Sequence, residues 1–172
     1  TAIAVKLTSP GPILFKQARL GRDARPFRIL KFRSMRAEMS DHNASQLTQK
    51  NDPRITPIGA FIRKTSIDEL PQLFNVLLGD MSIVGPRPHA AGAKAADSLY
   101  WEVDSRYWAR HCIKPGITGL AQVRGHRGTT DAHEDLLLRL QSDLEYVTEW
   151  LVMRDIRILI ATVAVLVHAR AY

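Results

Sequence analysis

Apolar and polar positions along the chain follow two rhythms. Over residues 13–17 and 27–33 they alternate in twos, and Gly21, Asp23 and Pro26 lie between, which predicts a β-hairpin with a long connection. In the second strand Phe27, Ile29, Lys31 and Arg33 share one face, and Arg28, Leu30 and Phe32 share the other. Cations interleaved with apolar residues lay their stems along a surface and extend their heads toward anions. Elsewhere the spacing lengthens to that of a helix. Residues Pro57–Lys64 predict a short helix that turns Ile58, Phe61 and Ile62 inward and delivers Arg63 to the segment after it. Leu70, Leu73, Phe74, Leu77 and Leu78 mark one helical face, expected to pack on a core, with Gly79 as its C-terminal stop. Residues 81–84 predict a short buried strand. From Ala132 onward Leu137, Leu140, Leu144, Val147 and Leu151 predict an amphipathic helix, on which Asp143 is either a solvated flank or a group turned into a cleft. Residues 154–167, with Ile156, Leu159, Ile160, Val163 and Val167, read as a core helix in preference to one dipping into lipid headgroups. The polar stretch 39–51 has no such pattern and reads as a loop, with a lid as one role for it.

The candidate chemistry lies where polar loop gives way to apolar helix, in Thr65-Ser-Ile-Asp-Glu-Leu-Pro-Gln-Leu-Phe74. Two starts fit this helix: a capping box of Ser66 and Glu69, or Pro71 in the first helical position with Leu70 as cap, which the proline favours. Either start sets Asp68 and Glu69 at the positive end of the helix dipole, which keeps Asp68 ionised and attracts phosphate. An ionised aspartate beside a phosphate can act as a nucleophile. The competing reading is that the two carboxylates only cap the helix.

Two further segments fit an anion. Gly85-Pro-Arg-Pro88 stiffens the backbone on both sides of Arg87 and presents its guanidinium for a bidentate phosphate contact; an ordinary rigid turn with an exposed arginine is the alternative. The loop Ala121-Gln-Val-Arg-Gly-His-Arg-Gly128 carries glycines with Arg124 and Arg127, and suits close approach to phosphate without matching a Rossmann or Walker pattern. His126 in that loop reads as a bystander.

Composition narrows the partners. With 172 residues, 45% of them hydrophobic, the chain has material for one core. The net charge of +7 is concentrated in residues 1–36, where nine Lys or Arg face the single acid Asp23. Such a segment suits nucleic acid, an anionic membrane surface or a phosphorylated substrate. Nucleic acid ranks low, because zinc-ligand spacing, a helix-turn-helix pattern and RNA-binding aromatics are all missing. The lone Cys112 cannot form an intrachain disulfide, which agrees with a reducing compartment. The longest charge-free apolar run, 158–167, falls short of the roughly 20 residues needed to span a bilayer. Residues 1–8 read as the end of a hydrophobic helix, closed by Ser9-Pro-Gly-Pro12.

Seven strings together resemble the bacterial sugar transferases, the monotopic phosphoglycosyl transferases, in the family order. They are Ser9-Pro-Gly-Pro-Ile-Leu-Phe-Lys-Gln17, Phe27-Arg-Ile-Leu-Lys-Phe-Arg-Ser-Met35, Asp52-Pro-Arg-Ile-Thr56, Ser66-Ile-Asp-Glu-Leu-Pro-Gln-Leu73, Asp80-Met-Ser-Ile-Val-Gly-Pro-Arg-Pro88, Lys114-Pro-Gly-Ile-Thr-Gly-Leu-Ala-Gln-Val123, and Asp143-Leu-Glu-Tyr146 through Asp155-Ile-Arg-Ile158. The resemblance covers the chain nearly end to end. It implies an α+β fold: a predominantly helical single domain with a small β-hairpin, associated with a membrane surface, in which residues 1–172 are the catalytic domain and 1–8 the end of an otherwise missing re-entrant helix.

The resemblance also implies an activity: transfer of a phosphosugar from a UDP-sugar to undecaprenyl phosphate at the cytoplasmic face of the bacterial inner membrane, with release of UMP. This step initiates exopolysaccharide, capsule or O-antigen synthesis. On the family pattern Asp68 attacks the sugar-bearing phosphorus to form an aspartyl phosphosugar, and Glu69 holds Mg²⁺. Lys31, Arg33, Arg63, Arg87 and Arg124 bind phosphate, and Asp143 and Asp155 are accessory acids with metal, base or structural roles left open. Residues 109–111 and 124–128 and the terminal Ala171-Tyr172 favour the hexose-1-phosphate enzymes, glucose first and galactose second. Two positions depart from the pattern: Leu120 replaces a usual Trp, and Trp150-Leu-Val-Met-Arg-Asp155 replaces a Trp-Ser pair before the late aspartate. The alternative function is a basic membrane-surface binding module without catalysis.

Overall fold

The computed structural model describes residues 1–39, 52–126, 128, 130 and 132–167, with side chains described through residue 164. All of the expected 39–51 loop but Met39, together with Arg127 and Ala171-Tyr172, lies outside the described residues. Helix α1 (Ala2–Thr8) leads through the Ser-Pro-Gly-Pro turn into strand β1 (Leu14–Leu20), which pairs antiparallel with β2 (Pro26–Phe32) in a register running from Leu14↔Phe32 to Leu20↔Pro26. The hairpin is the predicted one. Strand β1 extends beyond Gln17 because its ladder holds to the end and the Leu20 N–H donates to the His89 carbonyl at 3.0 Å. Residues paired across the ladder share a face. The pairs Phe15↔Lys31, Gln17↔Ile29 and Arg19↔Phe27 therefore put two cations, Lys31 and Arg19, on the face that buries Ile29.

Helix α2 (Pro57–Lys64) has the predicted bounds: the Thr56 hydroxyl accepts from the Gly59 N–H, and Pro57 opens the first turn. Ile62 is buried, but Phe61 is exposed, contrary to its expected inward place, because α2 docks through Gly59 and Ile62. A 3₁₀ turn, Ile67–Glu69, then precedes α3 (Gln72–Leu77). Neither predicted start holds. Pro71 is the N-cap and makes no side-chain cap bond, so the dyad sits on the 3₁₀ turn and not at a capped helix start.

Helix α3 packs the other way round from its expected orientation. Leu70, Leu73, Phe74, Leu77 and Leu78 are 46–82% exposed, while Gln72 and Asn75 are each 1% exposed. The reason is an edge of β2 with backbone groups to satisfy. The Asn75 Oδ1 accepts from the Leu30 N–H at 3.0 Å, and its Nδ2 donates to the Arg28 carbonyl at 2.8 Å. A side-chain amide that completes a strand edge must face inward, and the leucines are turned outward with it.

Strands β3 (Ser82–Val84) and β6 (Gly116–Thr118) pair in parallel. A Cβ at Gly116 would lie 2.1 Å from the Gly85 nitrogen, and one at Gly119 would lie 2.2 Å from the Gly85 oxygen, so only glycine permits this crossing. It fixes the base of the Pro86-Arg87-Pro88 loop. A two-residue ladder, β4 (Lys94–Ala95) with β5 (Ser98–Leu99), leads to α4 (Tyr100–Val103) and a 3₁₀ segment, Ser105–Cys112. Short α5 (Leu120–Val123), α6 (His133–Thr148) and α7 (Val152–Val167) complete a single α+β domain in which helix predominates.

Helix α6 serves two cores. One gathers Ala93, Ala95, Tyr100, Tyr107, Leu136 and Leu140; the other gathers Val84, Leu120, Tyr146 and Ile158. Its buried face is thus Leu136, Leu140, Asp143 and Tyr146, one position off the predicted stripe, and Leu137 and Leu151 are exposed. The shift comes from Asp143, which is turned inward to pair with a buried arginine. Nor is α7 a core helix: Ile158 is 3% exposed, but Ile156, Leu159, Ile160 and Val163 are 39–68% exposed.

The docking of α3 sets a contrast in stability. Asn75→Leu strands a buried donor and a buried acceptor of β2 and is expected to cost about 2–4 kcal/mol. Leu77→Ser on the exposed face is expected to change stability by no more than about 0.5 kcal/mol. Urea unfolding of the two variants checks the order; equal losses would contradict the outward orientation of α3.

Candidate active site

The dyad is built by three chain segments that converge on one turn. Ser66, in the left-handed region at φ 55°, turns the chain out of α2 and into Ile67–Glu69, an unusual backbone for a residue with a side chain. Both carboxylates are buried there, Asp68 at 7% and Glu69 at 8% exposure. From β2, Lys31 Nζ donates to Glu69 Oε1 at 2.8 Å. From the proline-flanked loop, Arg87 Nη1 donates to Glu69 Oε2 at 3.2 Å, and its Nη2 donates to Oε1. Burial opposes the ionisation of Glu69, but Arg87 and Lys31 outweigh it and hold the carboxyl well below the usual glutamate range.

Asp68 is treated differently. Its carboxylate makes no hydrogen bond among the described residues. Burial raises its pKa above the ordinary aspartate value, as does the Glu69 charge, while Lys31, Arg63 and Arg87 pull against them. Two adjacent acids are thereby separated in role: one is held ionised by direct bonds, and the other is uncommitted in a cationic field.

The remaining predicted residues divide. Arg63 stands within electrostatic reach of Asp68, and its Nη1 lies 3.4 Å from the Ser34 hydroxyl. Arg33 is placed elsewhere: 3% exposed, it donates to the carbonyls of Pro10 and Ser9 at 2.6 Å each and of Val5 at 3.3 Å, and so fastens α1 and the Ser-Pro-Gly-Pro turn to the hairpin. Its donors meet backbone, not phosphate. Arg124 forks onto Glu145 of α6 at 2.5 and 2.8 Å, and Glu145 also receives Arg154. Asp155 accepts from the Tyr146 hydroxyl at 2.8 Å and from the Trp150 indole N–H at 3.2 Å, tying the start of α7 to α6.

Asp143 is 1% exposed and takes Arg110 Nε at 2.9 Å and Nη2 at 2.7 Å on one oxygen. The same Nη2 donates to the Arg87 carbonyl at 2.6 Å, and Nη1 lies 3.2 Å from His89 Nδ1. The guanidinium can only donate, so Nδ1 is an acceptor and the His89 ring is neutral. Asp143 thus acts on the dyad from a distance, through Arg110, by holding the backbone that carries Arg87. Sequence reading missed Arg110 and Arg19. Strand alternation held a signal for Arg19, which lies beside Arg87 and Glu69 and is brought down to about 10, first by burial and then by Arg87. Arg110 sits in a 3₁₀ segment, Ser105–Cys112, with no periodic pattern to mark it.

For a metal, the protein offers few donors. Among the described residues, no group of three or more His, Cys, Asp or Glu side chains could hold an ion. Magnesium bound with substrate phosphates needs only one or two protein carboxylates and keeps water for the rest. Glu69 fits as one such ligand, since its Oε2 takes a single bond, from Arg87, and an ionised carboxylate oxygen has a second lone pair.

An ionised carboxylate, a second buried acid and several cations gathered on one turn could act on a phosphate. The family model described as Bacterial sugar transferase matches residues 1–169, and the chain belongs to that family. It is 52% identical over 94% of its length to the exopolysaccharide production protein PSS of Rhizobium leguminosarum bv. phaseoli, of which it covers 81%. Identity is also 52% over 94% of the chain to the UDP-glucose:undecaprenyl-phosphate glucose-1-phosphate transferase of Escherichia coli (strain K12), of which it covers 34%. Identity is 43% over 95% of the chain to the UDP-N-acetylgalactosamine-undecaprenyl-phosphate N-acetylgalactosaminephosphotransferase of Aeromonas hydrophila, of which it covers 37%. The chain therefore spans about a third of the length of these last two relatives.

The buried imidazoles give a pH signature. Burial, then Arg110, holds His89 well below its ordinary 6.5 and brings His111 down to about 4. On acidification the unfolded chain takes up these protons first. Stability is therefore full above about pH 6.5 and falls as the pH approaches the folded values. The urea midpoint is expected to be lower at pH 5 than at pH 7.5, and His111→Gln is expected to reduce that slope. A midpoint that rises on acidification would contradict the neutral burial of both rings.

Proposed function

We propose that the chain transfers a hexose-1-phosphate, glucose before galactose, from a UDP-sugar to undecaprenyl phosphate and releases UMP, the opening step of exopolysaccharide, capsule or O-antigen assembly. The observation that carries this reading is the uncommitted, buried carboxylate of Asp68 among Lys31, Arg63 and Arg87, next to a Glu69 already held by two of those cations. The choice of glucose is supported by the activity for which the 52% identical Escherichia coli relative is named, set against the 43% identity of the N-acetylgalactosamine enzyme.

In the proposed reaction an Asp68 oxygen bonds to the sugar-bearing phosphorus of the donor, and the bond from that phosphorus to the bridging oxygen breaks, releasing UMP. An oxygen of polyprenol phosphate then attacks the same phosphorus and breaks its bond to Asp68, restoring the carboxylate. Lys31, Arg63 and Arg87 stabilise the negative charge on the phosphoryl oxygens in both steps. Glu69 fixes Lys31 and Arg87 in place and is the residue that would hold Mg²⁺. When bound, the ion offsets diphosphate charge and eases departure of the nucleotide.

Membrane-surface association at the cytoplasmic face of the bacterial inner membrane belongs to the same proposal. None of the described helices is long and apolar enough to cross a membrane. Instead α1 exposes Ile3 and Leu7, α3 exposes its leucines and Phe74, α7 exposes Ile156, Ile160 and Val163, and residues 1–36 are strongly basic. Such helices suit insertion into the headgroup region of an anionic bilayer.

The test is UMP release from UDP-glucose and UDP-galactose with undecaprenyl phosphate and Mg²⁺. Activity is expected to be lost on chelation and restored by added Mg²⁺. Asp68→Asn is expected to lower turnover by roughly 10⁴-fold or more, and Glu69→Gln by roughly 10²- to 10³-fold. Incubated with donor alone, the wild-type chain should gain the mass of one hexose phosphate on Asp68. Full turnover by Asp68→Asn would overturn the nucleophilic role, and absence of the adduct in a chain that turns over would favour direct attack by the acceptor.

A further inference from the structure

Glu69, Arg87 and Ser66 close one end of a cavity of about 160 Å³ whose other walls are Leu70, Leu73 of α3, Ile117 and Thr118 of β6, Gln122 and Val123 of α5, and Thr162 of α7. Its character changes from one end to the other. The charged end is Glu69 with Arg87, next in sequence to Asp68, while the body is largely apolar, since Thr118 and Thr162 spend their hydroxyls on each other at 2.7 Å. Gln122, 6% exposed, lines the same space with an amide oxygen that is buried and without a partner. A nucleoside or a hexose needs many polar partners, and this body offers few. An apolar chain ending in a phosphate matches both ends.

The walls also show where such a chain would enter. Leu70 and Leu73 line the cavity, yet they are 54% and 46% exposed, and the apolar surface continues along α3 to Phe74 and Leu77 at 60% and 82% exposure. Exposed apolar side chains of α3 therefore stand at the mouth of the cavity that Glu69 and Arg87 close. Across the cavity Thr162 is followed by Val163, 63% exposed on α7. The volume compares with that of an apolar cavity of about 150 Å³ known to accept benzene, which is room for the first unit of an isoprenoid.

Resting on the proposed function, we infer that this cavity is the acceptor subsite: it takes the phosphate-proximal isoprene unit of a polyprenyl phosphate, directs the phosphate at Arg87 and the dyad, and lets the rest of the chain leave along α3. The donor then reaches Asp68 from outside this cavity. The acceptor is thereby selected by its apolar stem as well as by its phosphate.

The experiment fills the cavity from two elements. Val123→Phe and Leu73→Phe are compared with Leu77→Phe, which adds the same bulk to α3 away from the cavity, after thermal unfolding has shown all three to be folded. Direct binding of geranylgeranyl phosphate, with inorganic phosphate as the headgroup alone, is measured first and needs no turnover. The isoprenoid probe is expected to bind wild type and Leu77→Phe alike and to bind both filled variants roughly tenfold or more weakly; inorganic phosphate is expected to bind all four equally. In turnover the filled variants should show a raised KM for polyprenyl phosphate with an unchanged KM for the UDP-sugar. Unchanged isoprenoid binding in the filled variants would overturn the subsite even if UMP is released. A wild type that binds the isoprenoid but releases no UMP would overturn the proposed function and leave the subsite standing.

Discussion

The site depends on one carboxylate being shared by two cations. Glu69 lies on a 3₁₀ turn and takes bonds from β2, through Lys31, and from the loop after β3, through Arg87, so a single side chain joins three segments distant in sequence. A charge buried this deeply is tolerated only when it is paired, and removing one partner from such a cluster typically costs about 3–5 kcal/mol. The same pairing sets the state of Asp68. The bonds its neighbour absorbs are not available to it, and it remains a buried acid without a hydrogen-bond partner among the described residues, in a field of three cations.

Arg87 is held from both sides. In front it meets Glu69; behind, Arg110 donates to its carbonyl and is itself compensated by Asp143. The glycine crossing of Gly85 with Gly116 and Gly119 fixes the base of the same loop. A loop ordinarily mobile is thus held by a backbone crossing, two prolines and a buried ion pair, the kind of support a preorganised phosphate site requires. The outward turn of α3 belongs to the same construction. Asn75 binds the edge of β2, next to the lysine that reaches Glu69, and this fixes the dyad above the hairpin while presenting leucines to the exterior.

Much of the fold was legible in the chain. Alternation located the hairpin, Thr56 and Pro57 with the apolar spacing after them set the bounds of α2, and Asp68 with Glu69 stood out at a change of composition. Periodicity did not reveal which medium a stripe faces. The leucines of α3 and the aliphatic residues of α7 form good helical faces, and a face bound for lipid has the same spacing as one bound for a core. The decisive residue on α3 was a polar one, Asn75, whose partners are backbone groups some 45 positions away. Distance also hid Arg33. Alternation placed it correctly beside Lys31, but its destination is the Ser-Pro-Gly-Pro turn, which lies next to it only once the hairpin has formed.

The division of labour between the two acids is open to carboxyl ¹³C NMR titration of Asp68 and Glu69 in the free protein. Glu69 is expected to titrate well below 4.5 and Asp68 above 3.8, so the acid without hydrogen bonds takes up its proton first as the pH falls. The reverse order, or a Glu69 that titrates at its ordinary value, would contradict it.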